Sequence, residues 1–143
     1  MYDDVLFPTD GSGDANRALE HALELAEGFG ATLHVVFVTT VTDAEASESD
    51  GESRVREQQK GRGESALVAI DDAATEYGLD VTTAIREGDP REELLAYAEA
   101  ASVDVIVMGT HGQDGDERDR QLLGGVTDYV VRTSDVPVMT VSP

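Results

Sequence analysis

Val105-Ile106-Val107-Met108-Gly109-Thr110-His111-Gly112 is the stretch that decides the fold. Four consecutive apolar residues run straight into a glycine-rich turn. A strand with one wet face alternates apolar and polar side chains. An unbroken apolar run has both faces covered, as in a parallel sheet layered by helices. In such sheets ligands bind beyond the carboxyl ends of the strands, where this turn lies.

The chain on either side repeats the same alternation. Downstream, Leu122, Leu123, Val126, Val130 and Val131 recur at helical spacing, and Val136–Val141 reads as a last strand. Upstream, Gly88-Asp89-Pro90 predicts a helix start, with Asp89 as N-cap, Pro90 at the first helical position and Glu92 three residues after the cap. Val81–Ile85 reads as a strand before it. Farther back, Thr32–Val38 is a strand, and Ala15 to Phe29 is an amphipathic helix stopped by Gly30. Val5–Phe7 is a short strand ended by Pro8, and Gly11-Ser12-Gly13-Asp14 supplies loop and cap chemistry. Acids with interspersed Ser and Gly fill the segment from about 43 to 63. It reads as a mobile, solvated loop that grades into a helix whose apolar spacing resumes at Ala66. The order βαβαβαβαβ predicts a single doubly wound α/β domain over 1–143. Its five-stranded parallel sheet has the order 3-2-1-4-5, with helices on both faces.

Composition narrows the function. With 30 acids against 10 bases, the formal net charge is −20, and Lys60 is the one lysine. Nucleic acids and anionic membranes require a basic footprint, so neither is an expected partner. The acid-rich, lysine-poor character resembles proteins of salt-loving organisms, where salt screens the self-repulsion. There are no cysteines, which excludes disulfides, thiolate catalysis and Cys-ligated zinc. No apolar run is long enough to span a membrane and the N-terminus lacks the pattern of a signal peptide, so a cytoplasmic location is expected.

Two strand ends carry unusual loops: Pro8-Thr9-Asp10-Gly11-Ser12-Gly13 and Gly109-Thr110-His111-Gly112-Gln113-Asp114-Gly115. In the order 3-2-1-4-5 both face one crevice. The second leads through Gly124-Gly125 into a helix whose first N–H groups can meet phosphate oxygens. Phosphate binding without lysines must use backbone N–H groups, a metal ion or a few arginines. The chain has no P-loop, no complete dinucleotide fingerprint, no nucleophile elbow around Ser12 and no calcium loop at 114–119. Ser12 and Asp14 read as helix caps, and His21 and His34 as structural residues.

VLFPTDGS at the start, LHVVFV, and VIVMGTHG followed by LLGGVTDYVVRTSDVPVMTV together resemble the universal stress protein family over almost the whole chain. The resemblance implies a homodimer, often paired through the last strand (136–141 here). In nucleotide-binding members it implies ATP or another adenine nucleotide, with Mg²⁺ as a further candidate. By motif, Pro8, Thr9 and Asp10 would lie at the adenosine, Val38 at the adenine and Met108 against the nucleotide. Gly109, His111, Gly112, Gly124, Gly125, Val126 and Thr127 would surround ribose and phosphates. The chain departs from the family pattern G-x-x-G, nine residues, G-[S/T] in two places. Gln113–Leu123 is eleven residues, and Gly125 stands where the hydroxyl residue is expected. The lengthened loop holds four acids (Asp114, Asp116, Glu117, Asp119) and two candidate phosphate clamps, Arg118 and Arg120. No side-chain metal site and no catalytic residue is nominated.

Three readings remain open. One is a dimeric stress-response protein that binds an adenine nucleotide as a binder or switch, with at most slow hydrolysis. Another is a family member that binds no nucleotide and acts as a protein-interaction module. The third is an ATP pyrophosphatase-like enzyme, to which Asp10–Asp14 bears a faint likeness.

Overall fold

The computed structural model describes residues 2–10, 15–40, 50–110 and 125–142. Nine elements follow in order: β1 (Asp4–Thr9), α1 (Ala15–Phe29), β2 (Thr32–Thr39), α2 (Asp50–Glu76), β3 (Val81–Glu87), α3 (Pro90–Ala100), β4 (Val105–Gly109), α4 (Gly125–Thr133) and β5 (Val138–Val141). All strand pairs are parallel, and the sheet order is β3-β2-β1-β4-β5, the order expected.

The unbroken apolar strands are explained by two cores. Val5, Phe7, Leu33, Val35, Val105 and Val107 point to the face covered by α1 and α2. Leu6, Val36, Ile106 and Met108, one residue out of phase, point to the face covered by α3 and α4. Phe7, Leu6, Leu33 and Ile106 are almost completely excluded from solvent. Each such side chain stabilises the fold by about 1.5–3 kcal/mol relative to exposure.

The helix ends follow local chemistry. Gly30 (φ 65°) and Gly78 (φ 73°) adopt the left-handed conformation that a side chain disfavours. Each lets the following N–H reach back to close the helix, Ala31 to the Ala26 carbonyl at 2.8 Å and Leu79 to the Ala74 carbonyl at 3.1 Å. Asp89 caps α3, its Oδ1 accepting from the Arg91 N–H at 2.9 Å, with Pro90 in the first turn.

Several boundaries differ from the sequence reading: β3 runs on to Glu87, β5 begins at Val138 rather than Val136, and two further differences bear on the argument. The segment expected as loop to about residue 63 is helical from Asp50, while 43–49 lies outside the described residues. No proline interrupts it, and Arg, Glu, Gln and Lys from 54 to 62 are good helix formers even without apolar periodicity. β1 also continues through Pro8 to Thr9, for a reason that lies in the site itself. His34 is structural as expected: its ring bridges Asp4 Oδ1 and the Tyr97 hydroxyl, each at 2.9 Å. His21 lies on the exposed face of α1.

Candidate functional site

The central strands are zipped at one end and split at the other. At the amino end, Asp104 Oδ2 accepts from the Asp3 and Asp4 N–H groups at 2.8 and 2.9 Å. The β1–β4 ladder then holds two pairs, Val5 with Val105 and Leu6 with Ile106. Beyond Leu6, β1 stays paired with β2 as far as Thr9 and Phe37. Beyond Ile106, β4 stays paired with β5 as far as Gly109 and Val141. A crevice opens between them at the topological switch point.

Pro8 explains why the split begins there. The Asp3 carbonyl accepts from Thr32 on the β2 side, and the Asp4 carbonyl from Asp104 on the β4 side. Backbone direction alternates along a strand, so even-numbered residues of β1 face β4. Pro8 therefore presents its missing N–H to the crevice, where no ladder bond is lost. A proline inside a central strand is tolerated on those terms alone.

The opposite wall is Gly109. The Ile106 and Thr110 N–H groups donate to the Pro137 and Val141 carbonyls on the β5 side, so the Gly109 backbone between them faces β1. Its carbonyl accepts from the Thr127 hydroxyl at 2.9 Å, and Thr127 is buried. That bond ties the first turn of α4 to the end of β4. It also commits the Thr127 donor to the backbone. Val38, Met108 and Val126 belong to one apolar cluster on the α3/α4 side, an apolar wall for the crevice. Asp10 follows β1 and is half-buried, and its carbonyl accepts from Arg62 Nη2 at 3.4 Å.

Pro8, Thr9, Asp10, Met108, Gly109, Gly125, Val126 and Thr127 are thus carried by the ends of β1 and β4 and the start of α4, with Val38 at the end of β2. His111, Gly112, Gly124, Arg118 and Arg120 lie outside the described residues. Two arginines not nominated from the sequence stand at these loops. Arg62 lay in the segment read as loop. Arg91 belongs to α3, and an ideal Cβ at Gly125 would sit 3.1 Å from its Nη2. No pattern in the sequence pairs 91 with 125; the packing of α3 beside α4 does. Among the described residues no group of three or more metal-ligating side chains could hold a cation, and no helix is long and apolar enough to cross a membrane.

Among the described residues one ionisable group is clearly shifted, and it is at the other end of the sheet. Burial raises Tyr97 above the ordinary tyrosine value, with Asp4 adding to the rise and Arg86 opposing it.

Residues 1–142 match the profile of the universal stress protein family. The universal stress protein MJ0531 of Methanocaldococcus jannaschii is 34% identical over 142 residues, covering 99% of this chain and 82% of the relative. The solved structure of MJ0577, from the same organism, superposes with a TM-score of 0.83 at 29% identity, covering 100% of this chain and 97% of that one. A universal stress protein family protein of Arabidopsis thaliana, solved with AMP bound, matches in fold (TM-score 0.70, 19% identity, 99% and 91% covered). Strand order, split sheet and family profile agree: the chain belongs to the universal stress protein family.

Proposed function

We propose that this protein binds an adenine nucleotide in the crevice between β1 and β4 and acts in a stress response as a binder or switch, with at most slow hydrolysis. The carrying observation is the split after Leu6 and Ile106, with Pro8 on one wall and Gly109 tied to α4 on the other. A flat base fits against Val38, Met108 and Val126. The phosphates then extend toward the first turn of α4, whose N–H groups favour anions. That a protein of this fold holds AMP agrees with this reading. Among the described residues no cluster of metal-ligating side chains stands at the crevice. Mg²⁺, which keeps several waters and rides on phosphates, would need no dedicated cage here. Equilibrium titration with ATP, with and without Mg²⁺, in molar KCl tests the proposal. Saturable binding weakened by Met108→Glu supports it; no heat and no thermal shift for any adenine nucleotide sinks it.

The protein is further proposed to be a cytoplasmic homodimer paired through β5. β5 is an edge strand, and Met139 and Thr140 on it are exposed. An edge with apolar exposure invites strand pairing with a second copy. Light scattering of wild type and Val138→Pro distinguishes the states: a dimer that becomes a monomer is expected, and a monomeric wild type refutes the assembly.

A further inference from the structure

We propose that Arg91 is the anion-recognition residue of the crevice, contacting the phosphoryl group of the bound nucleotide; this rests on the nucleotide reading above. Gly125, the first residue of α4, leaves open the space a side chain would fill, and the Arg91 guanidinium lies at its border, 3.1 Å from the ideal Cβ position. One helical turn later, the Tyr129 ring holds the same guanidinium by a cation–π contact, 5.8 Å from the ring centroid. Glycine at 125 and tyrosine at 129 therefore seat the arginine over the first turn of α4.

The charge pattern gives this placement its meaning. The chain carries −20, yet here a cation stands in the first turn of α3 and against the first turn of α4. Both are positive ends of helix dipoles; Asp89, Glu92 and Glu93 offset that of α3, and the first turn of α4 carries Asp128. Asp128 of α4 pairs with Arg132 at 3.0 Å. Glu93 turns toward Gly88, its Oε1 3.0 Å from the ideal Cβ there. Among the described residues the guanidinium donors of Arg91 meet no hydrogen-bond acceptor. A planar fork that rests beside a ring is suited to a phosphoryl oxygen pair.

Calorimetric titration of the full chain in molar KCl with ATP, AMP and adenosine tests this, using wild type, Arg91→Gln and Arg91→Lys. Arg91→Gln is expected to weaken ATP about ten- to hundredfold, the range for hydrogen bonds to a charged group, and to leave adenosine unchanged. Arg91→Lys, which keeps the charge but not the fork or the stack, should fall between. Thermal melts of both variants within about 1 °C of wild type establish that this exposed residue is not holding the fold. ATP binding by Arg91→Gln equal to wild type overturns the role of Arg91 and leaves the nucleotide reading standing. Equal loss of ATP and adenosine also overturns it, since the residue would then shape the crevice rather than read the anion. A wild type that binds neither ligand overturns both proposals.

Discussion

Gly63→Ala and Gly61→Ala, two residues apart on α2, are expected to change stability in opposite directions. Alanine in a helix interior is favoured over glycine by about 0.8–1.0 kcal/mol. Nothing lies within 4 Å of an ideal Cβ at Gly61, and the site is exposed, so that whole gain should appear. At Gly63 the same atom would lie 2.3 Å from Phe37 Cδ1, 2.6 Å from Cε1 and 2.7 Å from Cγ. Cγ is the root of the ring and cannot swing away as a flexible tip would. Phe37 is 3% exposed, so the ring must push into buried neighbours. Relief to ordinary contact requires a shift of about 1 Å, which places the cost near the upper end of the 1–3 kcal/mol range for overpacking. Subtracting the helix gain leaves Gly63→Ala about 1–2 kcal/mol less stable. Unfolding entropy of about 2.1 cal/mol/K per residue gives about 0.3 kcal/mol/K for a chain of this length. Melting should therefore fall by about 3–7 °C in Gly63→Ala and rise by about 3 °C in Gly61→Ala, read by calorimetry at one KCl concentration. In a Phe37→Leu background the Gly63→Ala penalty should shrink or reverse. Equal stabilisation by both single substitutions would refute the close packing of α2 on β2.

Three further outcomes are expected. Thr127→Val keeps the shape and removes the donor to the Gly109 carbonyl, so it should cost about 1–2 kcal/mol in denaturant titrations, while Thr127→Ser retains the bond; a Thr127→Val midpoint at or above wild type would remove the proposed tie between α4 and β4. The raised Tyr97 makes its contribution fully present below the ordinary tyrosine value of 10.0 and lost as pH rises through the higher folded value, because the unfolded chain releases the proton first; the stability gap between wild type and Tyr97→Phe should be constant from pH 7 to 9 and narrow above 10, and a gap that widens there would contradict the sign. Finally, a net charge of −20 should make the melting temperature climb with KCl from low to molar concentration, the salt-loving behaviour proposed from the composition; a flat profile with KCl would count against that proposal.

Much of this was legible from the chain alone, because the signals were local. Val105–Met108 had to be buried on both faces, Asp89-Pro90 had to open a helix, and Gly30 had to close one. Alternating strands and helices implied a parallel sheet, and the observed order places the ends of β1 and β4 side by side. The helix from Asp50 was missed because its first turns lack an apolar stripe, although propensity alone would have supported it.

Other features depend on residues far apart in sequence, and no periodicity encodes them. Pro8 reads as a strand terminator until the ladder shows that its bare nitrogen faces a split where no partner is needed. That the Thr127 hydroxyl donates to the Gly109 carbonyl is visible only in the folded chain. Gly125 reads as a lost side chain until Arg91 is found at its border. The sequence by itself determined the architecture and the position of the crevice, since local burial and capping dictate both. Only the tertiary structure decided which polar groups line it, because a hydrogen bond or a stacked guanidinium depends on distances set by the packing of whole elements.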